Sequence, residues 1–117
     1  MHNFKELKVW QAGIEICKVI FELTKQFTGE ERFGLISQIN RCAVSIPSNI
    51  AEGCGRKSNK ELYQFLNIAL GSSFELETQI IIAKEFNYLT AEKADAICEL
   101  IVQTQKMING LQKSLKI

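Results

Sequence analysis

The sequence predicts an all-α protein, an antiparallel up-down-up-down four-helix bundle, on three observations. Apolar residues repeat in steps of three and four along nearly the whole chain, no segment sustains a period of two, and the breaks in the repeat are few and short. The 117 residues suit one core, so a single domain spanning 1–117 is expected. With 46% hydrophobic and 23% charged residues, the chain can bury that core and cover it with a solvated face. One proline and seven glycines are too few for an all-β fold, which needs turn residues roughly every 8–12 positions.

The first helix is expected over about residues 5–26, its core face formed by Leu7, Trp10, Ile14, Cys17 and Phe21, with Thr24 next in register. Thr28 and Glu31 form a capping box that opens a second helix over about 30–54, with the core stripe Ile36, Ile39, Ala43, Ile46 and Ile50. Pro47 deletes one backbone hydrogen bond inside this helix and is expected to bend it without ending it. Gly53 and Gly55 cost about 1 kcal/mol each in a helix interior. Ser58 and Glu61 form another capping box, so the turn is placed between residues 53 and 58. The third and longest helix follows over about 59–86 on Leu62, Leu66, Ala69, Ser73, Leu76, Ile80 and Ala83, with Phe65, Leu70 and Ile81 widening the stripe. Asn87 tolerates a left-handed backbone and Thr90 is a good N-cap, so a fourth helix is expected over about 91–115. It carries Ala94, Ile97, Ile101, Ile108, Leu111 and Leu115, interrupted by Thr104. Helices about 30–40 Å long joined by short connections make neighbours antiparallel.

Fourteen Lys and Arg stand against thirteen Asp and Glu, a net charge of +1, so any nucleic-acid contact must come from a local patch. The amino end has no basic-then-apolar signal pattern and no apolar run approaches membrane-spanning length, so a cytoplasmic chain without a membrane partner is expected. Cys17, Cys42, Cys54 and Cys98 show no C-x-x-C spacing and His2 is the only imidazole, which argues for reduced, mostly buried thiols and against zinc.

Catalysis is disfavoured on the same inventory. Di-iron chemistry in a bundle needs Glu-x-x-His pairs, and none is present. Ser–His and Cys–His pairs lack an imidazole. The stretch Gly53-Cys54-Gly55-Arg56-Lys57-Ser58 lacks phosphate-loop spacing and a preceding strand. Glu75 and Glu77 diverge on a helix, and a metal enzyme would require Glu52 and Glu75 to converge on a cation. No catalytic residue, cofactor or metal ligand is assigned.

The unusual feature is a polar but mostly small stripe on the second helix: Gln38, Arg41, Ser45, Ser48, Asn49 and Glu52. Serine and asparagine permit close approach by another chain and offer directed hydrogen bonds, which reads as an interface. The alternative is a hydrated face with a Glu52–Arg56 pair worth about 0.2–0.5 kcal/mol, and the pattern leaves both open. Two basic clusters, Arg56, Lys57 and Lys60 at the second turn and Lys106, Lys113 and Lys116 near the carboxyl end, read either as solubility features or as phosphate contacts. No RNP aromatic pair, KH loop or helix-turn-helix signature accompanies them, so base-specific readout has no support. Phe4, Trp10 and Phe27 are read as packing residues.

Phe4-x-x-Leu7-x-Val9-Trp10-Gln11, the run from Glu31 to Ile39, Ala43-Val44-Ser45-Ile46-Pro47-Ser48-Asn49-Ile50-Ala51-Glu52-Gly53-x-Gly55-Arg56 and Gly71-Ser72-Ser73-Phe74-Glu75-Leu76-Glu77-Thr78-Gln79 closely resemble the four-helix bundle proteins encoded in intervening sequences of bacterial 23S ribosomal RNA genes. The resemblance covers most of the chain. It implies a ring- or barrel-shaped homopentameric bundle with no established enzymatic activity. It also implies a looser similarity to accessory proteins of retroelements that bind nucleic acid and a reverse transcriptase, making RNA and such a protein the expected partners. Arg41, Ser45, Asn49, Glu52 and Glu75 carry over as an inter-helix or inter-subunit network. Thr28 stands where the family favours proline and Asn40 where it favours a basic residue, which weakens the nucleic-acid expectation.

Overall fold

The computed structural model describes residues 3–27 and 32–117. A short 3₁₀ turn, Phe4–Glu6, precedes four α-helices: α1 (Lys8–Thr24), α2 (Arg32–Cys54), α3 (Asn59–Glu85) and α4 (Ala91–Ser114), and no strand occurs among the described residues. The first helix starts later than expected because Leu7 is extended (φ −74°, ψ 128°) and serves as its N-cap. The Thr28–Glu31 capping box lies outside the described residues.

Side-chain contacts fix the direction of every helix. Cys17 donates to the Ala43 carbonyl and Thr24 to the Asn40 side chain, so residue numbers rise along α1 as they fall along α2. Cys42 reaches Ser72 and Gly53 abuts Leu62 and Phe65, which reverses α3 against α2. Lys84 meets Asp95 while Gln112 donates to the Tyr63 carbonyl, reversing α4 against α3. Lys93 meets Gln26, closing α4 onto the end of α1. The result is an up-down-up-down bundle 47 × 21 × 20 Å in extent.

The core is a column of isoleucine, leucine and alanine. Ile39, Ala43, Ile46 and Ile50 of α2 and Leu66, Ala69, Leu76, Ile80 and Ala83 of α3 are fully enclosed. α2 runs unbroken through Pro47, whose ring is buried. Ser58 caps α3 by accepting from the Glu61 N–H, and Thr90 caps α4 by accepting from the Lys93 N–H. Asn87 turns the chain with φ 61°, the left-handed conformation that asparagine tolerates. Thr104 sits in the α4 core because its hydroxyl donates to the Leu100 carbonyl of its own helix, which leaves no hydrogen unpaired.

Three expectations are corrected. The buried face of α1 is Val9, Gly13, Ile16, Ile20, Leu23 and, as expected, Thr24, while Leu7, Trp10, Ile14 and Cys17 are half-buried and Phe21 is exposed. α1 carries two apolar stripes, and the one that contains Gly13 wins because glycine lets the helix close tightly onto the Pro47 ring; a Cβ there would lie 3.1 Å from the Pro47 Cβ. Gly53 is inside α2, not in the turn, and a Cβ at that point would lie 2.8 Å from the Phe65 Cβ and 2.9 Å from the Leu62 Cδ1. Ile81 leaves the α3 stripe for solvent at 46% exposure.

Candidate interaction surfaces

The small polar residues of α2 divide between two environments. Ser45 faces α3, its hydroxyl 2.8 Å from that of Ser72. Asn49, one turn on, donates to both the Ser45 carbonyl at 2.8 Å and the Ser45 hydroxyl at 3.0 Å. This leaves the two serine hydroxyls to share the remaining hydrogen-bonding capacity across the seam. Cys42 extends the polar line, its thiol donating to the Ser72 carbonyl at 3.0 Å, with a Glu75 carboxylate oxygen at 3.5 Å. Burial, and secondarily the Glu75 charge and hydrogen bond, push the Cys42 thiol up to about 12. Burial is also the main cause that raises Cys17, Cys54 and Cys98, so none of the four is poised as a thiolate nucleophile.

Above this line an open groove of about 320 Å³ runs between the helices, lined by Gln38, Arg41, Cys42, Ser45, Ser72, Glu75 and Gln79. Arg41 is exposed and has no acceptor among the described residues, and Glu75 has no cationic partner among them. Gln79 is 6% exposed, and its buried Oε1 has no hydrogen-bond partner among the described residues. The other two buried glutamines are satisfied: Gln105 donates to Glu77, and Gln112 to Asn67 and the Tyr63 carbonyl. An unpaired buried acceptor costs about 1–3 kcal/mol, which sets Gln79 apart from Gln105 and Gln112.

The rest of the stripe stays outside the groove. Ser48 is exposed, and Glu52 pairs with Arg56 at 2.7 Å on the surface. Arg56 also lies over the Phe65 ring, 4.7 Å from its centroid. Glu52 and Glu75 do not converge, and no cluster of three or more metal-ligating side chains occurs among the described residues. Gln79, Ser72 and Cys42 were missed by the sequence reading, although Ser72 and Gln79 stand seven apart on α3 and Glu75 between them was singled out.

Arg56, Lys57 and Lys60 meet Lys113 and Lys116 at one end of the bundle, while Lys106 lies near its middle, next to Gln105, which donates to Glu77. Asn59 Nδ2 donates to the Lys116 carbonyl at 3.1 Å, tying the start of α3 to the chain beyond α4. Antiparallel packing brings the start of α1 and the end of α2 there as well. This half of the molecule carries Lys5, Lys8, Arg56, Lys57, Lys60, Lys113 and Lys116 against Glu6, Glu15, Glu52 and Glu61. The described part of the other half reverses the balance, with Lys18, Lys25, Arg41, Lys84 and Lys93 against Glu22, Glu75, Glu77, Glu85, Glu92, Asp95 and Glu99. No helix is long and apolar enough to cross a membrane among the described residues.

Fold, core and polar seam together define a four-helix bundle. The chain belongs to the 23S rRNA-intervening sequence protein family, whose sequence profile matches residues 5–110. A crystal structure from Bacteroides thetaiotaomicron, of a protein of unknown function from the S23 ribosomal protein family, is similar at 27% identity with a TM-score of 0.83, covering 91% of this chain and 99% of that one. No curated protein matches the sequence. Neither description names an enzymatic activity.

Proposed function

We propose that this chain is a non-catalytic, self-assembling accessory protein, a homopentamer that holds RNA by its phosphate backbone. The observation that carries the RNA reading is the basic end of the bundle, where cations from the α2–α3 connection, α3 and the end of α4 are gathered although the net charge is only +1. A few cations on one copy bind a polyanion weakly, and repetition around a ring multiplies the contacts. The S23 ribosomal protein family name of the solved relative is in keeping with an RNA partner. The test is a filter-binding titration of structured RNA between about 50 and 200 mM salt. Affinity is expected to fall steeply, with a logarithmic slope of about 0.9 per phosphate contacted on duplex, and Lys57→Ala with Lys60→Ala should flatten that slope. Retention that ignores salt, or no retention at low salt, defeats the RNA reading. The mass in solution is expected near five times 13.3 kDa.

The second reading is a structural or protein-interaction module without nucleic-acid binding, with a protein such as a reverse transcriptase as a candidate partner. Gln79 favours it, because its buried Oε1 waits for a donor that a phosphate cannot supply. Loss of RNA retention at low salt together with an intact assembly is the result that selects it.

A further inference from the structure

α3 carries more apolar surface than the bundle uses. Ile68 and Phe74 are each 51% exposed, Ile81 46% and Ile82 39%, whereas α1 leaves Phe21 in the open, α2 Phe33 and Val44, and α4 no large apolar side chain among the described residues. Such a concentration on one helix marks a surface for another chain, and its pattern is that of a helix pair. From Lys60 to Glu85 a stripe in alternating steps of four and three passes through Gly71, Phe74, Thr78 and Ile81, every member exposed, with Ile68 and Ile82 on its flank.

This stripe is complementary to its own reverse. With a two-fold axis at the level between Ser72 and Ser73, Phe74 of each copy stands opposite Gly71 of the other, and Lys60 at the start of α3 stands opposite Glu85 at its end. Gly71 has nothing within 4 Å of where a Cβ would lie, so it leaves a recess for the phenyl ring. Neither Lys60 nor Glu85 has an ion-pair partner among the described residues. Sliding the pair by one heptad in either direction separates Lys60 from Glu85. In one direction it also brings the two Glu75 residues from about 7.5 Å to about 3 Å apart in height. Of the other flanking charges, Glu61 accepts from Ser58, Glu77 accepts from Gln105 and Lys84 pairs with Asp95, while Glu75 comes near the level of the other copy's Ile68 and has Arg41 in its own groove. We infer that two copies of this chain pair antiparallel along α3, each Phe74 seated in the other's Gly71 recess and Lys60 meeting Glu85 at both ends. The apolar residues supply the buried area and the charge pairs set the register. Like surfaces meet in this contact, so it gives each copy one partner and closes on two, which goes beyond the ring proposed above and joins closed assemblies in pairs.

The test is sedimentation equilibrium of the full chain without nucleic acid, from micromolar to near-millimolar concentration. Phe74→Asp, at an exposed position, is expected to keep its helical circular dichroism and to serve as the unpaired reference, whose mass reads the ring proposed above. The native chain is expected to reach twice that mass, so the ring and this contact can fail separately. Lys60→Glu and Glu85→Lys are each expected to raise the concentration for half-pairing at least tenfold, because each charge pair occurs twice about the two-fold axis, and the double variant to return to within about threefold of native. A native chain no heavier than Phe74→Asp, single charge variants that pair like the native chain, or a double variant worse than either single each overturn the contact.

Discussion

α2 meets its two neighbours in opposite ways. Toward α1 the close approach is apolar, made by Gly13 against the Pro47 ring, with the Cys17 thiol and the Thr24–Asn40 pair as polar contacts across it. Toward α3 the close approach at Gly53 continues into a line of hydroxyl and thiol contacts through Ser45, Ser72 and Cys42. Small residues bring the backbones together on both sides, so closeness does not depend on the seam being apolar. What differs is the remainder. The first seam leaves an apolar groove around Phe21 and Val44, and the second leaves a polar groove with an orphaned acceptor at Gln79. Each remainder dictates the chemistry of whatever could cover it.

The strongest way to break the comparison is at the two close approaches. Replacing either Gly13 or Gly53 by alanine gains the same helix propensity, up to about 1 kcal/mol. At Gly53 the new methyl meets the Phe65 Cβ at 2.8 Å, an atom anchored to backbone, whereas at Gly13 the nearest contact is 3.1 Å. Overpacking costs about 1–3 kcal/mol, so Gly53→Ala is expected to lower stability by about 1–2 kcal/mol net and Gly13→Ala by less than 1. Paired urea melts measure the difference, and equal midpoints would show that the α2–α3 seam relaxes as freely as the α1–α2 seam.

The polar seam is tested next through its hydroxyls. Ser45→Ala removes an acceptor of Asn49 Nδ2 and the partner of Ser72, both half-buried. A loss of about 1 kcal/mol is expected, and a double-mutant cycle with Ser72→Ala should show coupling, because the pair shares one hydrogen bond. Additive effects would mean that water replaces the bond without cost.

Cys42 makes the larger pH-dependent prediction, because the Glu75 charge and hydrogen bond add to the burial that alone raises Cys17 in the other seam. Its folded thiol is raised from 9.0 to about 12, so between those values the unfolded chain has released a proton that the folded chain retains. The unfolded state binds fewer protons in this window, so stability is complete below about pH 9 and declines as pH rises toward 12. Cys42→Ser is expected to flatten the decline, and urea midpoints collected between pH 8 and roughly 10.5 measure it.

The helices, the caps at Ser58 and Thr90 and the left-handed Asn87 were legible because each depends on residues within four positions of one another. The inner stripes of α2 and α3 were legible because each helix has one strong apolar face. α1 was misread because it has two such faces, and the choice between them is made by Pro47, 34 residues after Gly13. The polar stripe on α2 was visible in the residues, and its pairing with Ser72 was not, since register between helices is set by packing across the whole bundle. The union of the two basic clusters, Lys106 apart, follows from antiparallel topology, which the short connections already implied.

The smallest expected effect tests the rule that space, not glycine itself, explains these positions. Gly71 lies in the middle of α3, exposed, and a Cβ there would meet nothing within 4 Å. Gly71→Ala should therefore raise stability by about 0.5–1 kcal/mol in the isolated chain, since the helix gains propensity and no neighbour is displaced. Gly71 lies between the exposed Ile68 and Glu75 on α3, so the same variant also reports on that face of the helix. Measured at concentrations where the chain is monomeric, the gain should appear in full. If it turns into a loss as the concentration rises, the added methyl is meeting another copy, and the open space at Gly71 is a contact surface.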